Sequence, residues 1–326
     1  MVKLGQKIRQ WLGLDSPILA LTWVGRELRY LVRQDARIVT YGVCEWPTRN
    51  DQPVTPELLA QMLLPNLPSS GGRVALMLPT RFVSMHELSL PNGLDDEELD
   101  YQMNRYMTQN LGLDKSNIFY DWRVRDLATD KRVMTVLLAV TKQEDIAPFH
   151  QMFLDSPWEM NWMCVEPQVW SLAYRNQALR NGMVVICQLE MDSMSLCIVD
   201  ANGSVKSFSY QFTEQDIIQA GFVYHSFNNE SVQEGGVRLP PRFVAEFLPK
   251  QLSAWVGPEV LGDLIEIYVT GRGANWQEAM PLLQAQLGLP LKLAERYWPD
   301  TSEAPSGASS KDGLAGLNYL SLQVQR

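Results

Sequence analysis

The amino-acid sequence predicts an α/β protein built from two domains, and three observations carry that expectation. At 326 residues the chain exceeds one ordinary domain, and two cores of normal size account for its length. Two meanders of β-branched and apolar runs, one opening at Ile18 and one at Val184, each lead into a helix, so the chain begins the same way twice. A late strand, Leu264 to Thr270, runs through Gly271-Arg272-Gly273 into a helix that ends at Leu287.

The elements follow in order. Met1 to Leu14 is short and amphipathic, with Val2, Leu4, Ile8, Trp11 and Leu12 opposite Lys3, Lys7, Arg9 and Gln10. Such a segment suits either an anionic membrane surface or its own domain. Strands ILALTWVG and ELRYLVR meet at a tight Gly25-Arg26 turn, and RIVTYGVCEWP completes the first meander, closed by Pro47. Thr55 is the N-cap of a helix with Pro56 at its first position, running through Leu63, and Arg73 to Leu78 is a buried strand. A separate module, about 79–142, reads strand (Arg81 to Leu90), helix (Leu94 to Leu111), then a hairpin of Ile118 to Val124 and Arg132 to Thr141. Leu99, Met103, Tyr106 and Met107 form the buried stripe of that helix, and the acidic residues at 95–98 suit the positive end of its dipole. Gln143 to Leu154 is a helix, Trp162 to Pro167 a short strand and Pro167 to Arg175 a helix, before Asn181-Gly182 marks the domain boundary.

The second half opens on three antiparallel strands between Met183 and Phe212, with turns at Glu190-Met-Asp-Ser193 and Asp200-Ala-Asn-Gly203. Helices are expected at Thr213 to Phe227 and Pro241 to Trp255, the latter kinked at Pro249, with a polar loop at 228–236 between them. After the late strand–loop–helix comes a short strand at Leu291 to Ala294, then a Ser/Gly/Pro-rich stretch, 300–313, read as a mobile loop. Leu314 to Gln325 is a last helix returning to the first half. The domains are thus 1–14, 15–181, 182–312 and 313–326.

Composition excludes some chemistry. A net charge of −9 argues against direct nucleic-acid binding, which needs a basic stripe. Cys44, Cys164, Cys187 and Cys197 lack metal or redox spacing and read as reduced, buried thiols. His86, His150 and His225 show no ligand spacing, and no metal is expected. No apolar run approaches the ~20 residues of a membrane span, and the N-terminus offers no signal-peptide core, so a cytoplasmic location is expected. Gly271 and Gly273 flank the one loop whose amides could approach a ligand closely, a weak signal alone.

The motifs LPTRFVSMHELSLP (Leu78 to Pro91), DDEELDYQMNRYM (Asp95 to Met107), Asn117-Ile-Phe-Tyr-Asp121 and VMTVLLAVTKQED (Val133 to Asp145) are similar, in order and spacing, to the module that PilM-type pilus proteins insert into their first domain. Ile265 to Leu293 resembles that family's adenosine-side strand, loop and helix. Nearly end to end, the chain resembles the PilM family of type IV pilus assembly proteins. The resemblance implies an actin/FtsA-like, ribonuclease H-like two-domain fold with an inserted 1C-type subdomain. It also implies peripheral association with the inner membrane through the cytoplasmic N-terminal tail of a PilN-like membrane protein, bound in a groove between the first domain and the module. Tyr106, Met107, Tyr120 and Trp122 are the expected groove residues, with the module's own core as the competing role for each.

Departures from the nucleotide-binding pattern bear on mechanism. Relatives that bind nucleotide carry Asp-x-Gly in both meander turns. Here the first turn reads Thr22-Trp23-Val24-Gly25-Arg26, while Gln188 stands where the second Asp belongs and Glu190 where its glycine belongs. A vestigial site at Thr22, Val24, Gly25, Gln188, Glu190, Asp192, Gly271 and Gly273 is expected, with no cofactor and no hydrolysis. The alternative is a working ATPase in which Glu190 or Asp192 holds the magnesium of ATP. A third reading, the cytoplasmic part of a type II secretion protein, calls for a membrane span. The pilus, DNA-uptake or MSHA-type system served, and any homo-oligomer, are left open.

Overall fold

The computed structural model describes residues 16–24, 27–34, 37–45, 55–126, 132–200, 205–219, 238–256, 264–294 and 320. The first meander is β1 (Ile18–Val24), β2 (Glu27–Gln34) and β3 (Arg37–Glu45), with register Val24↔Glu27 setting a two-residue connection. Helix α1 (Pro56–Leu63) starts where Leu58 N donates to the Thr55 hydroxyl at 3.3 Å, as the Thr-Pro signal implies. β4 (Gly72–Leu78) returns parallel to β1, and β8 (Trp158–Val165) lies parallel to β4, giving the order β3-β2-β1-β4-β8.

The second sheet repeats this plan. β9 (Met183–Leu189), β10 (Ser193–Asp200) and β11 (Val205–Gln211) are antiparallel, while β12 (Leu264–Thr270) and β13 (Leu291–Leu293) add in parallel, in the order β11-β10-β9-β12-β13. Between β4 and β8 the chain leaves to build the module. There β5 (Ser84–Pro91), β6 (Ile118–Asp126) and β7 (Val133–Lys142) form a sheet ordered β5-β7-β6, and α2 (Asp96–Gln109) covers one of its faces. Asp95 accepts from Glu98 N, and the Glu98 carboxylate accepts from Asp95 N, so the acidic cluster works as a capping box.

The layers follow from strand alternation. Leu19, Leu21, Leu28 and Val74 face α1 and α3 (Gln143–Gln151), while Ala20, Leu31, Ala75 and Met77 face the other way, toward Val169 of α4 (Glu166–Asn181). The same helix offers Trp170, Ala173 and Tyr174 to Val184, Ile186 and Cys197 of the second sheet. Its two-sided burial between the sheets explains why α4 shows no single apolar stripe. On its other face the second sheet packs on α6 (Pro241–Val256) and α7 (Trp276–Leu287).

Several bounds differ from the sequence expectations. β8 starts at Trp158 rather than Trp162, because Trp158 and Met160 point inward while Glu159 and Asn161 point to solvent, a period-two pattern at a sheet edge. Thr80–Phe82 forms a 3-10 turn instead of opening the strand, since Glu166 holds both the amide and the hydroxyl of Thr80. α4 runs on to Asn181 and stops at Gly182, whose φ is 93°. Of the helix expected at Thr213 to Phe227, α5 (Glu214–Gln219) is described. Its continuation, the polar loop 228–236, the 1–14 segment, Gly25 and the 300–313 stretch lie outside the described residues. So does all of the expected last helix except Leu320, which packs with Ala20, Ala75 and Met77 on the first sheet. All four cysteines are free thiols; Cys187 and Cys197 are buried as expected, whereas Cys44 and Cys164 are half-buried.

Candidate functional site

Two regions hold the residues singled out from sequence: a polar cleft where β2 of the first sheet meets the β9–β10 turn and the Gly-Arg-Gly loop of the second, and an apolar groove beside the module.

In the cleft, the ends of β1 and β9 present different chemistry. Thr22 donates to Met77 O at 2.8 Å and is buried, so its hydroxyl serves the sheet; Val24 is buried too. At the β9–β10 turn the Glu190 carboxylate meets Arg29 from β2: Arg29 Nη1 donates to Oε1 at 2.7 Å and Nη2 to Oε2 at 2.6 Å. Such a two-pronged match is the geometry a guanidinium offers a carboxylate. Arg29, 1% exposed, also donates from Nε and Nη2 to Glu27 Oε2 at 3.0 and 2.8 Å. Arg272, from the Gly-Arg-Gly loop, donates its Nη1 to Glu27 Oε1 at 2.6 Å. Gln188 Nε2 donates to Glu190 Oε1 at 3.3 Å, and the Arg272 amide to Oε2 at 3.3 Å. Two carboxylates and two guanidiniums thus balance. Burial pulls the Arg29 pKa down, but the charges and hydrogen bonds of Glu190 and then Glu27 outweigh it and hold the group above an ordinary guanidinium. Asp192 stands outside this cluster, bonded to Ser193 and 3.7 Å from Arg81.

The two glycines serve the same closure. A Cβ on Gly271, whose φ is 96°, would sit 2.2 Å from Leu189 O, and one on Gly273 would sit 2.4 Å from Glu190 O. The Gly273 amide donates to Leu189 O at 2.9 Å. The close approach these glycines permit is to the β9–β10 turn. Beside the cleft, Glu166 is buried at the start of α4 and accepts from Thr80 N at 3.0 Å and Thr80 Oγ1 at 2.8 Å. Sequence reasoning missed Arg29, Glu27, Arg272 and Glu166. All four are charged residues in or beside apolar strand runs or at a helix start, which was the available signal.

A magnesium-bound nucleotide fits this arrangement poorly. Both Glu190 oxygens already accept from Arg29, and the loop amides of Arg272 and Gly273 are bonded internally. Among the described residues, no group of three or more His, Cys, Asp and Glu side chains is placed to hold a metal ion.

The groove, about 140 Å³, runs between the module and the first sheet. Five consecutive residues of β6, Phe119 to Arg123, and three of β8, Met163 to Val165, line it, which is how strand edges rather than strand faces present themselves. Both strands are the last of their sheets. Met85, Leu137 and Ala139 supply an apolar floor, and Gln168 and Val205 close one side. Tyr120 and Trp122 line the groove and also pack on the module core, with Tyr120 Oη donating to Asp100 Oδ1 at 2.8 Å. Met107 lies inside that core, and Tyr106 sits against it with its hydroxyl 3.4 Å from His86 Nδ1. Period two in β6 sends Tyr120 and Trp122 toward α2, leaving Phe119, 43% exposed, on the other side.

No family model and no curated protein matches the chain. Among solved structures, a chain of a PilM-PilN type IV pilus biogenesis complex matches with a TM-score of 0.70 at 13% identity, over 95% of this chain and 98% of that one. The fold is actin-like. At this identity the likeness speaks for fold alone, and at that level it bears out the resemblance read from the motifs. The cytoplasmic domain of EpsL, an inner membrane component of the type II secretion system of Vibrio cholerae, matches at TM-score 0.49, with 10% identity over 94% of this chain and 95% of that one. A Bacteroides thetaiotaomicron protein with an actin-like ATPase fold matches at 0.46, with 8% identity over 86% and 91%. These two likenesses are too remote to carry an argument. Among the described residues no helix is long and apolar enough to cross a membrane.

Proposed function

We propose that this chain is a non-catalytic assembly protein of a type IV pilus-like machine, holding the cytoplasmic N-terminal tail of a PilN-like inner-membrane protein in the groove beside its module. The groove carries the proposal. Two sheet edges face it and an apolar floor lies beneath, which suits an extended apolar segment that pairs its backbone and buries alternate side chains. The solved neighbour belongs to a complex of PilM with PilN, which supports the choice of partner. The protein would then work at the cytoplasmic face of the inner membrane, attached through that partner. The absence of turnover is supported by Arg29, whose guanidinium takes up the carboxylate that would otherwise meet a metal or face a phosphate.

The test is a titration of a labelled synthetic peptide of the PilN-like tail, followed by fluorescence anisotropy. Saturable binding that is lost in Phe119→Asp and Met163→Asp, two exposed changes that leave the melting temperature in place, is the expected result. No saturable binding to the unaltered chain refutes the proposal. Calorimetry with Mg-ATP tests the other half: tight binding abolished by Glu190→Ala would overturn the non-catalytic reading.

A further inference from the structure

The ion cluster in the cleft and the groove beside the module are parts of one junction. Glu190 and Asp192 belong to the β9–β10 turn of the second sheet, whereas Arg29 and Glu27 belong to β2 of the first. From the same turn a short path leads to the groove. Asp192 lies 3.7 Å from Arg81, whose guanidinium stacks 4.7 Å above the Phe82 ring. Phe82 in turn packs on Trp23, 5.1 Å between centroids. Thr80, in the same 3-10 turn, is pinned to Glu166 at the start of α4. The next residues along the chain, Val83 and Met85, line the groove. The second sheet reaches the groove directly as well: Val205 at the start of β11 lines it, and Ser207 Oγ lies 3.6 Å from Met85 Sδ.

Resting on the partner reading above, we infer that the Arg29–Glu190 pair is a built-in clasp that closes the two halves without a ligand and thereby shapes the groove for the tail. In an actin-like arrangement the cleft between the halves is where a ligand would bridge them. Here side chains from both halves make that bridge themselves, with Arg29 contributed by one sheet and Glu190 by the other. Opening the clasp withdraws β11 from the base of β5. That removes the Val205 wall and the support behind Met85, so the open form offers the tail a poorer site. A ligand shifts such an equilibrium only through its different affinity for the two forms, and the effect is reciprocal. A filled groove therefore holds the clasp shut, and a broken clasp weakens the groove. The Gly-Arg-Gly loop tightens the same closure through Arg272, which grips Glu27 across the cleft at 2.6 Å.

The experiment reads both directions. In the unaltered protein, tail peptide at saturation should slow hydrogen exchange at the Glu190, Arg272 and Gly273 amides, none of which borders the groove. In Arg29→Met/Glu190→Leu, the tail peptide should bind about tenfold more weakly, within the usual range for coupled sites, while the β9–β10 turn exchanges faster. A folded double variant that binds within twofold of the unaltered protein, or unchanged exchange at those amides on tail binding, overturns the clasp. If the double variant does not fold, Glu27→Gln serves instead, since it loosens Arg29 and Arg272 while keeping the Arg29–Glu190 pair, and a smaller loss of affinity in the same direction is expected. Should the unaltered chain bind no tail, the partner reading fails by itself. The clasp is then judged by exchange alone: faster exchange at the turn in either variant upholds it, and no change overturns it.

Discussion

Replacing Arg29 with Met removes a guanidinium that makes four hydrogen bonds to two carboxylates and is 1% exposed. Glu190 is then left with Gln188 and one backbone amide, both at 3.3 Å, as its remaining donors. Breaking one side of a buried pair costs about 3–5 kcal/mol, because the remaining charge keeps its desolvation and loses its partner. Glu190→Leu leaves Arg29 buried with Glu27 alone and should cost about 3 kcal/mol. Replacing both together removes the clasp but leaves neither charge buried without its partner, and Glu27 keeps Arg272, so the double change should cost global unfolding no more than about 1 kcal/mol even as the cleft loosens. The cycle then yields a coupling well above about 2 kcal/mol, far beyond additivity. Urea unfolding followed by tryptophan fluorescence on the four proteins measures it. An Arg29→Met cost below about 1 kcal/mol, or single costs that simply add, would refute the buried-pair reasoning.

Three further outcomes are expected. Burial raises the Glu166 pKa against the opposing hydrogen bonds from Thr80, so the stability it lends is full below the ordinary carboxylate range and is lost as pH rises through the raised value. Glu166→Gln, which can still accept from Thr80, should therefore be more stable than the parent at neutral pH. That advantage should shrink toward about pH 4 in melts across the range, and a constant difference would count against the assignment. Asp95→Ala removes one half of the α2 capping box and should cost about 1 kcal/mol in urea titrations. Gly273→Ala puts a Cβ 2.4 Å from Glu190 O, where backbone must move, and should cost about 2–3 kcal/mol, with faster exchange at the β9–β10 turn; an unchanged melt would show that the loop can retreat freely.

How much of this was legible in the sequence depends on the range of the interaction. The meanders, the Thr55-Pro56 start and the acidic first turn of α2 are local signals, and each has its element. The paired sheet plan was visible as a repeated opening, since strands of β-branched residues next to a turn can hardly do otherwise. The clasp was not legible, because Arg29 and Glu190 lie 161 positions apart and meet only once both sheets are built. Glu190 reads in the sequence as a charge in a glycine's place, facing where phosphates would lie; nothing near it in sequence says that a cation from β2 answers it. In β6 the expectation named Tyr120 and Trp122, which line the groove while also packing on the module core, and it did not name Phe119, which the pleat assigns to the opposite face. The early start of β8 was missed because an edge strand keeps its polar residues outward and so lacks a continuous apolar run.

The open edge of β8 has one more consequence. Trp162 and Met163 are 38% and 41% exposed there, and among the described residues no further strand lies beyond them. An unpaired edge bearing large apolar side chains is a template for another copy of the same chain. An uncapped β8 is thus exposed to edge-to-edge self-association, and, if the groove holds the tail as proposed, co-production with that tail should raise the soluble yield. Under the proposed function the partner would act as a chaperone for the strand it caps, and the amount of protein kept in solution would follow the amount of partner made.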